Sequence, residues 1–196
     1  MATNIETNAT RAPASDGECG EGFCLSELVE KIASLEAHPT FDELQEWLAN
    51  VRVRSDELEP YVKFRPGTYV RTRVIRNSHV EMLVLCWRPG HYTSIHDHNG
   101  SYSSIRVIEG EMHETLYDFD GERGLCETAS RAWSPGHVAV ADIPDIHRIG
   151  NREGGAGDLV TLHCYSPPFD VINTYQHGSR EIGELRPEEP REIERG

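Results

Sequence analysis

The spacing of hydrophobic positions changes partway along the chain. Leu25, Leu28, Val29, Ile32 and Leu35 recur at helical intervals, which gives a helix over this stretch one apolar face. A second helix is predicted after Thr40. Thr40 and Glu43 have capping-box spacing, and Phe41, Leu44, Trp47 and Leu48 would face inward. From about residue 69 the helical period is lost. Residues 69–75, 80–87, 103–108, 112–117, 137–141 and 159–165 read as short β-rich runs. Turn signals separate them at Asn77-Ser78, Pro89-Gly90, Glu109-Gly110, Asp120-Gly121 and Pro135-Gly136. Many short strands at regular spacing predict a mainly β sandwich or barrel, with the short N-terminal helices packed on a sheet. No internal repeat is visible.

The ends differ from this middle. Residues 1–23 have no periodicity and are expected to be a disordered arm. Residues 24–178 read as one domain. Residues 179–196 mix Glu and Arg with Pro187 and Pro190, and are expected to be a solvated, partly disordered tail. A chain of 196 residues is long enough for one full core and short for two.

Composition narrows the partners. The net charge of −14 repels phosphate backbones, so nucleic acid is not an expected partner. No run approaches the ~20 apolar residues of a membrane span, and the N-terminus has no apolar export signal. Five cysteines, an odd number without such a signal, point to a reducing compartment, so a cytoplasmic location is expected. A monomer is expected as well. Cys19 and Cys24 have no second Cys or Cys/His couple nearby to complete a zinc site.

Three of the ten histidines stand in an informative arrangement. His96 and His98 flank Asp97, and in a strand residues i and i+2 project from one face. His147, distant in sequence, precedes Arg148-Ile149-Gly150-Asn151. Gly90, His96, His98, Ser103 and Gly110 reproduce the spacing of the first cupin motif, with Ser103 where a Glu ligand is usual. Gly136, His147 and Asn151 give part of the second motif, with Asp142 and Pro144 at positions where it usually has Pro and Gly. Three neutral imidazoles without thiolate or carboxylate suit Zn, Fe, Cu or Ni. Such a site would leave the ion's full charge available to an anionic ligand such as a thiolate.

Several further stretches carry a family likeness. Cys86-Trp87, Gly90-His91, Ser94-Ile95-His96-Asp97-His98, Glu109-Gly110, His113-Glu114-Thr115-Leu116, His147-Arg148 and the run from Leu162 to Phe169 together resemble the cysteine dioxygenases, over roughly residues 60 to 175. The resemblance implies a cupin fold, a small antiparallel β-barrel of jelly-roll type with N-terminal helices. It implies one Fe(II) per chain on His96, His98 and His147, and a reaction in which both atoms of O2 join the sulfur of cysteine to give the sulfinate.

The same resemblance assigns the remaining roles. Tyr69-Val70-Arg71 matches a segment whose Arg receives the substrate carboxylate, with Arg73 in reserve. Tyr165 would place its phenol near iron, backed by His163 and by Thr161 in place of a Ser. Trp87 and Tyr69 would wall the pocket, and Ser166-Pro167 would be cis. Ser103 stands where animal enzymes have the Cys that links to the Tyr, so that crosslink cannot form here. His91, His113 and His137 are expected to be structural or surface groups, and Cys86 to lie in the core. The alternatives are dioxygenation of another small thiol, such as 3-mercaptopropionate, or a metal-binding sensory cupin without turnover.

Overall fold

The computed structural model describes residues 22–141, 143 and 145–192. The expected N-terminal arm, up to residue 21, lies outside the described residues, as do Cys19, Asp142 and Pro144. A short strand β1 (Phe23–Cys24) leads into α1 (Leu25–Ala33). Next come α2 (Phe41–Asn50), β2 (Val51–Arg52), which pairs with β1, and the single turn α3 (Ser55–Leu58). The Thr40–Glu43 capping box forms: Glu43 N–H donates to Thr40 Oγ1 at 3.3 Å and Thr40 N–H to Glu43 Oε2 at 2.8 Å.

The strands that follow are β3 (Val70–Arg76), β4 (Glu81–Trp87), β5 (Ile95–His96), β6 (Tyr102–Glu109) and β7 (Met112–Asp120). After them come β8 (Gly124–Trp133), β9 (Val138–Ala141), β10 (His147–Gly150), β11 (Leu159–Ser166), β12 (Ile172–Tyr175) and β13 (Gly183–Leu185). They make two antiparallel sheets, one in the order β3-β4-β11-β6-β9 and one in the order β13-β12-β5-β10-β7-β8. The protein is mainly β, as the spacing predicts. Strand β8 was not legible in sequence, because its solvent-facing positions leave little apolar alternation.

Alternation on β4 and β11 explains how the molecule is layered. Both strands are buried along their whole length, which requires apolar partners on both faces. Met82, Val84 and Cys86, with Val160, Leu162 and Cys164, pack against Leu28, Ile32, Leu44, Trp47 and Leu48 of the helices. The intervening Leu83, Leu85, Trp87, Leu159 and Tyr165 face the other way, towards Met112 and Ile149 of the opposite sheet. Arg106 of β6 fastens the helical layer by donating from Nη1 to the carbonyls of Leu48 (2.6 Å) and Ala49 (2.9 Å) at the end of α2. Among the described residues, no helix is long and apolar enough to cross a membrane.

The tail departs in part from its expected state. Residues 179–192 are largely exposed, yet β13 pairs with β12, and Arg191 forms a parallel bridge with Thr72 on the edge of β3.

Candidate metal centre and substrate cavity

His96 on β5 and His147 on β10 are direct partners across the ladder between these strands. His98 follows two residues on, just before a turn in which Asn99 and Gly100 both have positive φ (51° and 87°). Gly150 locks the ladder end: a Cβ there would lie 2.2 Å from the carbonyl oxygen of His91, so only glycine lets the segment leading to His96 approach β10 this closely. The three imidazoles are buried, and one ligand atom from each lies within 4.8 Å of the others. Asp97, which lies between the first two, braces this segment, receiving Tyr175 Oη–H at 2.7 Å, Asn99 N–H at 2.7 Å and Asn173 Nδ2–H at 3.0 Å.

Each imidazole has an oxygen against Nδ1. His96 donates to the Ser94 carbonyl at 2.9 Å, and His147 to Glu114 Oε1 at 2.9 Å. Asp145 Oδ2 lies 3.2 Å from His98 Nδ1, an ion-pair distance whose angle falls short of a hydrogen bond. This leaves Nε2 as the ligand atom of each ring, and His147 Nε2 is buried with no hydrogen-bond partner. An orphaned imidazole nitrogen beside two others is what a divalent cation satisfies, so the residues fit a three-His metal site. The site is not built of imidazole alone: the carboxyl groups of Glu114 and Asp145 stand buried behind the three rings. Burial alone would lower the His147 pKa, but Asp145 and Glu114 outweigh it and raise it. Burial and the neighbouring His147 and His98 hold His96 well below the usual histidine range.

A cavity of about 190 Å³ opens beside this centre. It is below the ~300–1,000 Å³ of sites for drug-sized ligands, so it suits a small molecule. His96 reaches it from the metal side, and Tyr69, Arg71, His163 and Tyr165 from the five-stranded side, with Leu85, Ile149, Phe169 and Ile172 as apolar lining. Arg73 does not line it. Its guanidinium is held by Glu81 at 2.9 Å and also pairs with Glu192. Trp87 is a further correction: it is fully buried behind the cavity, where it stacks on Tyr69 with centroids 4.2 Å apart. Among the described residues, the side chains of His91, His113 and His137 hydrogen-bond within three positions of themselves.

Thr161, His163 and Tyr165 form a continuous hydrogen-bonded row. Trp87 Nε1–H donates to Thr161 Oγ1 at 3.0 Å, Thr161 Oγ1 lies 2.7 Å from His163 Nε2, and His163 Nδ1 lies 2.9 Å from Tyr165 Oη. Burial, with the His98 and Arg71 charges, keeps His163 well below the usual histidine range, so its ring is neutral. Burial also raises the Tyr165 phenol above its ordinary value, although Arg71 opposes this. Tyr165 sits opposite Ser103 on the neighbouring strand. The Ser166–Pro167 peptide is cis, as the resemblance implies.

Sequence reasoning missed two groups of residues. Glu114 carried a signal: it interrupts the inward positions between Met112 and Leu116 with a carboxylate. Residues 185–191, which line the cavity mouth, carried none.

Residues 24–178 match the sequence model of a family described as Cysteine dioxygenase type I. Cysteine dioxygenase type 1 of Rattus norvegicus is 30% identical over 138 residues, which is 68% of either chain. The Homo sapiens enzyme of the same name is 31% identical over 119 residues, 59% of either chain. A solved double-stranded β-helix protein from Klebsiella pneumoniae superposes with a TM-score of 0.48 at 19% identity, covering 56% of this chain and 81% of the other. That likeness is too loose to carry weight by itself.

Proposed function

The chain belongs to the cysteine dioxygenase type I family, and from that premise we propose that it oxidises L-cysteine to cysteine sulfinate with Fe(II) and O2. As a member of this family the protein is a thiol dioxygenase; the metal, the preferred thiol and the residue roles are our reading. One observation carries it: a ligand histidine, a guanidinium and a phenol converge on a single small cavity.

Fe(II) would be held by His96, His98 and His147, and when bound it supplies the redox chemistry that joins a thiolate sulfur to both atoms of O2. The protein's own groups do the rest. Arg71 receives the carboxylate of cysteine, for which a guanidinium fork is the best-matched side chain. That contact aims the sulfur towards the His96 side of the cavity. Tyr69, stiffened by its stack on Trp87, limits the length of ligand that fits.

Tyr165 positions the substrate. Because Thr161 Oγ1 is nearer His163 Nε2 (2.7 Å) than the Leu85 carbonyl (3.4 Å), its proton goes to His163. Nδ1–H then donates to Tyr165, which keeps its own O–H for a group in the cavity. Leu85, Ile149, Phe169 and Ile172 exclude water and so strengthen these polar contacts. The product is beyond simple reductive repair, so the step commits the thiol.

Arg71 supports cysteine over thiols that lack a carboxylate, while 3-mercaptopropionate remains the alternative for the experiment to separate. The test is oxygen uptake by iron-loaded protein offered each thiol, with sulfinate measured by mass spectrometry. Stoichiometric sulfinate from cysteine is expected. If no thiol drives oxygen uptake, the enzymatic reading fails and a metal-binding sensor replaces it.

A further inference from the structure

The outer wall of the cavity comes from residues beyond the 24–178 that match the family. Leu185, Pro187, Glu188 and Arg191 all line it. At one end this segment is continuous with β13, the edge of the six-stranded sheet. At the other it joins β3, the edge of the five-stranded sheet: Arg191 N–H donates to the Arg71 carbonyl at 2.9 Å, and Arg73 N–H to the Arg191 carbonyl at 2.8 Å. The segment therefore stitches together two sheet edges that would otherwise stand open at the mouth of the site.

Glu188 sits in the middle of this span and makes two contacts of different kinds. Its backbone carbonyl accepts from Arg71 Nη1 at 2.9 Å. Its carboxylate takes the Arg65 guanidinium in a two-pronged pair, Nη1 to Oε1 at 2.8 Å and Nη2 to Oε2. Arg65 lines the same cavity as Arg71. Without Glu188 the Arg65 guanidinium would lose this partner at the mouth and could hold a carboxylate in a pose that takes the sulfur away from His96.

We propose that residues 185–191 are a specificity-determining wall of the thiol site, in which Glu188 occupies Arg65 and holds Arg71 in position for the substrate carboxylate. This rests on the reading of Arg71 as the carboxylate anchor. The physical basis is preorganisation. A guanidinium already fixed through one N–H gives up less rotamer freedom when it binds, and its remaining donors stay in fork geometry. A partner for Arg65 removes the competing pose at the same time.

The test compares cysteine with cysteamine, which has the same thiol and amine but no carboxylate, on the iron-loaded full chain. Glu188→Ala keeps the backbone carbonyl that holds Arg71 but frees Arg65 as a competing, nonproductive carboxylate site. The kcat for cysteine should therefore fall about fivefold relative to that for cysteamine, the scale of one hydrogen-bonded contact. The KM for cysteine should fall with it, because a nonproductive pose lowers both. Glu188→Gln, whose amide oxygen still accepts from Arg65, should recover part of the loss. Arg191→Pro, which deletes the N–H given to Arg71, should instead raise the KM for cysteine relative to that for cysteamine.

The outcomes are distinguishable. If Arg71→Gln leaves the cysteine KM unchanged, the anchor reading fails and takes this proposal with it. If Arg71→Gln raises KM while Glu188→Ala keeps the parental ratio of the two kcat values, the anchor stands and the wall proposal is overturned. An equal rise in KM for both thiols on Glu188→Ala would also overturn it, because the segment would then only loosen the fold.

Discussion

Ser103 and Tyr165 are direct partners across the β6–β11 ladder, both buried and both on the face turned towards the metal centre. Opposed side chains in such a pair have Cβ atoms ~4.5–5.5 Å apart. A sulfur at position 103 would therefore lie within reach of the phenol ring. Ser103→Cys should acquire the thioether that the animal enzymes have. Turnover with cysteine and O2 should produce a species two hydrogens lighter by intact mass, absent from the Ser103→Cys/Tyr165→Phe double variant. An unchanged mass after many turnovers would show that strand register alone does not bring the two groups together.

Arg71 should matter more for binding than for chemistry. A hydrogen-bonded charge pair contributes about 1.5–3 kcal/mol, so Arg71→Gln should raise the cysteine KM about 10- to 150-fold. Iron content should stay at the parental level, since Arg71 touches none of the three ligand rings. Kinetics and metal analysis on the same preparation check both halves.

Glu114 should act on the metal. It bridges His147 Nδ1 at 2.9 Å and Trp133 Nε1 at 2.8 Å, which fixes both the tautomer and the tilt of the ring. Loss of such a supporting partner typically costs 10–100-fold in metal affinity. Glu114→Ala should therefore release iron to a chelator at correspondingly lower concentration. Glu114→Gln, which keeps an oxygen acceptor and drops the charge, should fall between. Parental iron retention in both variants would mean that Glu114 is only packing.

Two core thiols give a prediction for alkaline stability. Burial pushes Cys86 up to about 11 and Cys164 up to about 12. In the unfolded chain both ionise near the ordinary value of about 8.5. Above that pH the unfolded chain binds fewer protons than the folded one, so stability falls as pH rises towards the folded values. It is fully retained below the unfolded value. Each thiol contributes a slope of up to about 1.4 kcal/mol per pH unit. Urea unfolding from about pH 8.5 to about pH 10.5 should show this decline, and Cys164→Ala should flatten it. A parental slope in that variant would assign the decline to other groups.

The parts of the site visible in the sequence are those set by local periodicity or by motif. The alternation 161-163-165 put Thr161, His163 and Tyr165 on one face because β11 is regular from Thr161 to Tyr165. The His-x-His pair was found by its motif instead: β5 ends at His96, and His98 reaches the site from the residues just past it. Arg73 shows the limit of that reasoning. Two-residue spacing gave it the same face as Arg71, yet the buried Glu81 draws it into an ion pair that no local pattern announces. Residues 185–191 were unreadable for a related reason. Their charged, proline-containing composition is that of a solvated segment, and what orders them is the β3 edge and Arg65, more than a hundred positions earlier in the chain.

The long separation of Arg65 from Glu188, 123 positions, also sets an order of events during synthesis. Chains emerge N-terminus first, and contacts between distant positions form late because the intervening loop must be closed. The histidine triad, its Asp97 brace and the inner side of the cavity are complete once residue 175 has folded, while the outer side is still missing. The metal site then has an open doorway in the nascent barrel, before the residues of the outer wall have left the ribosome. In refolding, amides of 159–165 should gain protection from exchange before those of 185–191.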